Sequence, residues 1–429
     1  MRTSIYKLIE DPVTFKQKLL GWGQQFREIT FLDSNSLSDE YSQFDFVLAI
    51  DAFTSLQTDY HNAFEDLKQY QQTTNDWLFG YLSYDLKNDI EHLQSQNKDG
   101  LHFPDLFFFQ PKKIIALNGN QLHIQYLNLC EDEVEDDFLA ITNYTNDNQE
   151  TPSKVIIQQR ISKQEYLSKV TQLLEHIHRG DVYEANFCME FFAEKAIINP
   201  LQKFIKLNAI SQAPFSVFFK NNKQFLLSAS PERYLKKEHE DLVSQPIKGT
   251  AKRFQDPIAD EQSKNNLAND PKERAENIMI TDLVRNDMSR TAQKGSVIVK
   301  ELCGISSFLQ VHQMISTIIS KIDTQYASVS VLKSTFPMGS MTGAPKHAAM
   351  KIIEELEETK RGLYSGSVGY FTPSGNFDFN VVIRSILYNQ ENEFVSFSVG
   401  SAITSLSIPE NEYEECLLKA KAMHEVLQK

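Results

Sequence analysis

The chain has 429 residues, of which 41% are hydrophobic and 23% charged, and a formal net charge of −14. That balance suits a globular protein built as one large α/β unit or as two or three domains, and it argues against nucleic acid or anionic membrane as a main partner, since both reward basic surfaces. An anionic small substrate remains admissible, because a cation cluster or a metal ion reverses the sign inside a cleft. The four cysteines (Cys130, Cys188, Cys303, Cys416) are scattered, with no CxxC and no histidine at zinc spacing, as in a reducing compartment. The N-terminal MRTSIYKLIEDP lacks a signal peptide's apolar core and no apolar run approaches a membrane span, so a cytoplasmic location is expected.

Residues 1–142 read as mixed α/β. Phe44–Ile50 and Trp77–Tyr84 are expected strands, and Leu106–Phe109, Ile114–Leu117 and Gln121–Leu127 a strand series broken at Pro111 and Asn118-Gly119. The acidic run Glu131–Asp137 reads as a solvated face. Asn143–Ser153 is polar, aperiodic and ends in Thr-Pro-Ser, which marks a linker ahead of a second region, 154–429.

Ser162 and Glu165 form a capping-box pattern before a helix that Gly180 stops. Val182–Phe192 alternates as a strand, with Glu184, Asn186 and Glu190 on a polar face that lines either a cleft or solvent. Phe215–Phe219 and Gln224–Ser228 pair as a hairpin, followed by Ser230-Pro231-Glu232-Arg233 at a strand end. Next comes Gln245-Pro246-Ile247-Lys248-Gly249-Thr250, where Pro246 fixes its own φ and Gly249 admits angles that a Cβ resists. By itself this reads as a solvated loop, and only its neighbours could make it a device holding one amine in place.

Lys272–Arg290 reads as a helix with Glu273 and Glu276 one turn apart, and the closing helix carries Glu412 and Glu415 in the same relation. Such pairs are either decoration of helix N-termini or, taken together, the oxygen-only ligands that Mg²⁺ prefers. Pro337–Lys346 is a glycine loop before a helix, but it lacks the P-loop spacing, and Pro345 removes a donor that a P-loop needs.

In order and spacing, Ser230–Arg233, Pro246–Thr250, Arg274-Ala275-Glu276-Asn277 running on to Asp287, Ser340–Lys346, Gly369-Tyr370, Ile383-Arg384 and Glu412–Glu415 resemble the motifs of the chorismate-utilising enzymes over roughly residues 160–429. Gly80–Asp85 is similar to a further element of that family. The resemblance implies an α/β sandwich of two packed β-sheets flanked by helices, with residues 1–142 part of the same body. Within the family, anthranilate- and isochorismate-forming members usually carry alanine where this chain has Lys248. Lysine marks the aminodeoxychorismate-forming branch, which aminates chorismate at C4 on the route to p-aminobenzoate and folate.

The resemblance further implies Lys248 as a nucleophile that desolvation keeps partly unprotonated, and Glu232 as general acid with a raised pKa. It implies Mg²⁺ held by Glu276 and Glu415, with Glu273 and Glu412 as outer partners. Tyr370, Arg384 and backbone donors at Gly400, Ser401 and Ala402 are implied to grip the enolpyruvyl carboxylate, with Gly249, Thr250, Ser340 and Thr342 near the substrate. The chain departs from the family where Gln313 replaces an expected histidine beside His312, where Gly400-Ser401-Ala402 replaces three glycines, and where Glu184 replaces a lysine kept by isochorismate-forming members. No cysteine lies in the glycine-flanked turn of a glutaminase, so ammonia is expected free or from a glutamine amidotransferase partner.

Overall fold

The computed structural model of the chain describes residues 1–37, 39–145, 155–309 and 311–428. Most of the expected linker, residues 146–153, lies outside the described residues.

Twenty strands among the described residues are joined by hydrogen bonds into one network, and every ladder between them is antiparallel. Helices pack on this network, giving a mixed α/β architecture. Strands from either side of the 146–153 stretch pair directly: Glu28–Asp33 with Phe215–Asn221, and Leu78–Leu82 with Ser367–Phe371. Alternate residues of one strand serve different cores, as the period of two requires. Phe46, Leu48 and Ile50 join Phe187, Met189 and Phe397 in one cluster, while Val47 and Ala49 join Phe108, Tyr81 and Phe379 in the other.

Several local expectations change. Leu106–Asn118 is one continuous strand that runs through Pro111. Pro111 faces Ala52 where the register with Phe46–Thr58 shifts, and at such an irregularity its missing N–H costs no ladder bond. The acidic run is not simply a solvated face: Glu133 and Asp137 both bind the buried Lys113 ammonium, and Glu135 binds Lys7. The stretch read as a loop around Lys248 belongs to the strand Ile247–Lys252. Among the described residues no helix is long and apolar enough to cross a membrane.

Candidate functional site

Lys248 owes its position to a bulge. Opposite Val311–Lys321, Ile247 pairs with Ile315 and Thr250 with Gln313, so three steps on one strand match two on the other. The extra residue falls at Lys248-Gly249, and Gly249 has φ +89°. Bulges of this kind re-aim a side chain out of the pleat. Here the Lys248 side chain, only 10% exposed, sends its Nζ to Glu184 Oε1 at 2.9 Å. Glu184 is the first residue of the strand Glu184–Ala193 and is itself buried. Of the polar strand face, Glu184 lines the site, whereas Glu190 is taken up by Arg160 and Ser396 and Asn186 by the sulfurs of Cys188 and Met341.

Glu232 lies between the strands Gln224–Ser230 and Arg233–Glu238, with 4% of its surface exposed. Burial pushes its pKa up to about 7, against the opposing pull of the Ser340 hydroxyl, the Lys248 charge and the Ile247 N–H. Ser340 Oγ donates to Glu232 Oε1 at 2.6 Å. This carboxyl has the raised pKa expected of a general acid.

Lys248 differs from expectation. Burial works to strip its proton, but the charges of Glu184, Glu276 and Glu232 outweigh burial and its pKa is raised. Desolvation alone therefore does not supply a neutral amine, because the pocket that excludes water also collects three carboxylates.

The second wall is helical. Pro271–Ser289 starts at an Asp270 N-cap whose side chain accepts from the N–H groups of Lys272 and Glu273, which sets Glu273 and Glu276 facing the bulge. Burial pushes Glu276 up to about 7 and also raises Glu273. From Pro409–Gln428 come Glu412, 1% exposed, and Glu415. Burial pushes Glu415 up, but Lys419 at 2.6 Å outweighs it and holds the carboxyl below its ordinary range.

Lys272 Nζ stands between the helices, 2.9 Å from Glu412 Oε1 and 3.8 Å from Glu276 Oε1. Among the described residues no group of three or more His, Cys, Asp or Glu closes into a ready metal site. Glu276 Oε1 and Glu412 Oε2 are nevertheless buried without a hydrogen-bond partner. Orphaned carboxylate oxygens from two helices, bridged by an ammonium, fit a hard divalent cation in donor chemistry and in charge.

The remaining expected residues divide. Arg384 is left-handed at φ +53°, and burial lowers its pKa while Tyr364, Glu415 and Cys416 act against that. A bulky residue in that region is strained, which is common where a side chain must be aimed. Tyr364, whose hydroxyl meets Cys188 Sγ, is thus the tyrosine that acts on the Arg384 charge. Tyr370 packs on Phe44, Trp77 and Phe79 and donates to Gln43 Oε1 at 3.1 Å, away from Arg384's neighbours.

Gly400, Ser401 and Ala402 lie in a ladder opposite Cys188, Phe187 and Asn186. Gly400 is demanded by packing, since a Cβ there would come 2.6 Å from Cys188 Sγ. Its carbonyl accepts from Lys419 Nζ at 2.8 Å. Thr342 turns its hydroxyl back onto the carbonyls of Met338 and Gly339, and Thr250 is exposed. His312 faces away, bonded to Ser307 Oγ at 2.8 Å and Asp260 Oδ1 at 3.1 Å, while Gln313 on the opposite face is buried.

Two lysines escaped the sequence reading although their signal was visible. Lys272 precedes Glu276, and Glu415 precedes Lys419, each by four residues, the spacing at which helix side chains meet. The pairing of Lys248 with Glu184 had no local signal, because 64 residues separate them.

A family model for chorismate binding enzymes matches residues 24–425. The chloroplastic aminodeoxychorismate synthase of Arabidopsis thaliana is 34% identical over 388 residues, which are 83% of this chain and 41% of that protein. Component 1 of the Escherichia coli aminodeoxychorismate synthase is 39% identical over 272 residues, 63% of this chain and 59% of its own. The chain thus spans less than two thirds of the length of these relatives. Anthranilate synthase component I from Streptococcus pneumoniae superposes with a TM-score of 0.79 at 23% identity, covering 90% of this chain and 93% of its own.

Proposed function

The chain belongs to the chorismate-binding enzyme family, and we propose that within it the chain aminates chorismate at C4, giving 4-amino-4-deoxychorismate. The observation that carries this reading is the amine of Lys248, buried at the meeting point of Glu184, Glu232 and Glu276. A non-catalytic binder, or a member that lets water or ammonia attack directly, has no use for an amine there.

In this reading the Lys248 nitrogen forms a bond to C2 of the ring, both ring double bonds shift (to C1=C6 and C4=C5), and the C4–O bond breaks. Glu232, held near a pKa of about 7 by burial, gives its proton to the departing hydroxyl, which leaves as water. Ammonia then bonds to C4, the electrons shift back, and Lys248 departs. Two allylic displacements keep the nitrogen at C4 and leave the enolpyruvyl group intact. Ser340 orients the Glu232 carboxyl, and Arg384 binds the enolpyruvyl carboxylate. Glu276 and Glu415, with Glu273 and Glu412 behind them, would hold Mg²⁺, which supplies charge neutralisation for the ring carboxylate.

The proposed ammonia source is a separate glutamine amidotransferase. All four cysteines are buried, and burial raises the thiol pKa of each, so none offers the thiolate a glutaminase needs. Four free thiols also favour a cytoplasmic location.

The test is product analysis with chorismate, ammonium and Mg²⁺. A product that retains the enolpyruvyl group is expected, formed by the wild type and lost in Lys248→Ala. Release of pyruvate with an aromatic amine would instead mark an anthranilate-type reaction and overturn the assignment. Glutamine should replace ammonium only after the amidotransferase is added.

A further inference from the structure

The proposed nucleophile is met as an ammonium, and an ammonium has no lone pair with which to attack. A chain that uses Lys248 covalently must first move one proton from Nζ to an acceptor in the same closed site.

Three carboxylates act on the charge of that nitrogen, Glu184, Glu276 and Glu232, and Glu184 is the one in hydrogen-bond contact with it. Glu232 has to keep its own proton for the leaving hydroxyl, and its Oε1 is engaged by Ser340. Glu276 lies on the helix wall, with Lys272 as its near cation. Glu184 is the one that accepts a hydrogen bond from Lys248, at 2.9 Å, along the line a proton would travel. Its second oxygen is buried with no hydrogen-bond partner, so the carboxyl has a free oxygen on which to hold a proton. Bulk water is a poor rival, because the Lys248 side chain is only 10% exposed and that of Glu184 1%.

The backbone fixes the acceptor. Glu184 pairs with Ala344 on one side and Thr404 on the other, so ladders on both edges hold it. Gly343 packs directly on its carbonyl, where no Cβ would fit.

We propose that Glu184 is the catalytic base of the lysine, taking the proton from Lys248 before attack and returning it after the lysine leaves. This rests on the reading of Lys248 as nucleophile. The protons balance as follows. Lys248 ammonium and Glu184 carboxylate become amine and acid. The amine bonds to C2 and becomes a substituted ammonium, while the C4 oxygen leaves as water with the Glu232 proton. Ammonia bonds to C4, and the C2–N bond breaks to release neutral lysine. Glu184 reprotonates Lys248, and Glu232 takes the extra proton from the new C4 ammonium. The sum is chorismate plus ammonia giving aminodeoxychorismate plus water.

The experiment compares wild type, Glu184→Gln, Glu184→Ala and Lys248→Ala, with fold checked by circular dichroism. Each is assayed with chorismate, ammonium and Mg²⁺ from pH 7 to 9. Gln preserves a hydrogen-bond acceptor for Nζ but cannot take the proton, so it separates positioning from proton transfer. Both Glu184 variants should lose on the order of 100-fold in kcat at pH 7, with KM for chorismate little changed. The ratio of variant to wild-type kcat should climb at least tenfold by pH 9, as hydroxide takes over the deprotonation. A Glu184→Gln enzyme as fast as wild type or faster at pH 7 would overturn the proposal, since Glu184 would then merely clamp the ammonium. Full activity in Lys248→Ala would overturn the nucleophile reading and this inference with it. Loss in Lys248→Ala with an active Glu184→Gln overturns the inference alone.

Discussion

On the sheet side of the site, Glu184 sits in ladders on both edges, Lys248 at a bulge between ladder pairs, and Glu232 just before the strand that starts at Arg233. On the helix side, Glu273, Glu276, Glu412 and Glu415 arrive on two helices that bring their own counter-cations, Lys272 and Lys419. The acids of the sheet wall are partnered within the wall: Glu232 by Ser340, Glu184 by Lys248. Each wall keeps buried carboxylate oxygens without a hydrogen-bond partner, Glu184 Oε2 on the sheet side and Glu276 Oε1 and Glu412 Oε2 on the helix side, so the walls differ in how their charges are held. The contrast separates two tasks. A wall that moves protons over one bond length needs fixed geometry, whereas a wall that admits a cation needs charge that can be exchanged, and a lysine on a flexible stem provides it.

If the sheet wall does the proton chemistry, removing its acid should have the largest effect of all. Glu232→Gln is expected to lower kcat by about 10²–10⁴-fold, the range for a positioned general acid. The pH dependence has a defined sign. The acid form is the active one and the free carboxyl titrates at about 7, so kcat/KM should fall as pH rises through that value. In Glu232→Gln that limb should vanish from the profile; a limb that persists belongs to another group.

The helix wall should respond in metal affinity before anything else. Glu276→Gln is expected to weaken Mg²⁺ binding at least tenfold by calorimetric titration in the presence of chorismate, because a neutral amide replaces a charged ligand. The same substitution should stabilise the metal-free protein at high pH. The Glu276 carboxyl titrates at about 7 when folded and near its ordinary 4.5 when unfolded, so between those values the folded chain keeps a proton that the unfolded chain has released. Stability therefore falls as pH rises across that window. Glutamine carries no such penalty. Its urea midpoint at pH 8 should exceed that of wild type by the equivalent of ~1–3 kcal/mol, and the two should converge near pH 5. Equal midpoints at pH 8 would mean that the carboxylate is already neutralised by Lys272.

The two walls were not equally legible in the sequence. The helix wall could be read locally: glutamates one turn apart, and lysines four residues away, follow from the helical period alone. The sheet wall could not, because its contacts join residues 64 and 108 positions apart, Lys248 with Glu184 and Ser340 with Glu232. Ordered motifs identified which residues belong together without giving their distances. The motifs pointed to Tyr370 alone, whose hydroxyl turns out to donate to Gln43, while Tyr364, in the turn ahead of that strand, is the tyrosine that acts on the Arg384 charge. The raised pKa of Lys248 departs from what its sequence surroundings suggest for a related reason. Burial is visible in a loop's composition, but the convergence of three carboxylates from separate segments is not.

Gly249 is where the walls touch, and its substitution is the mildest way to probe both. Its φ of +89° is a backbone region that side chains rarely adopt, and an added Cβ would sit 3.1 Å from Glu273 Oε2 and 3.2 Å from Leu267 Cδ1. The first contact is the end of a flexible side chain and can yield; the backbone angle cannot yield without undoing the bulge that aims Lys248. Gly249→Ala is therefore expected to cost ~1–2 kcal/mol in urea unfolding through backbone strain. Its kcat should drop more than its Mg²⁺ affinity, because the misplacement falls on the lysine while Glu273 swings aside. The opposite order, Mg²⁺ binding lost and kcat at saturating metal intact, would show that Gly249 serves the helix wall by making room for Glu273 and that the lysine's aim does not depend on the bulge.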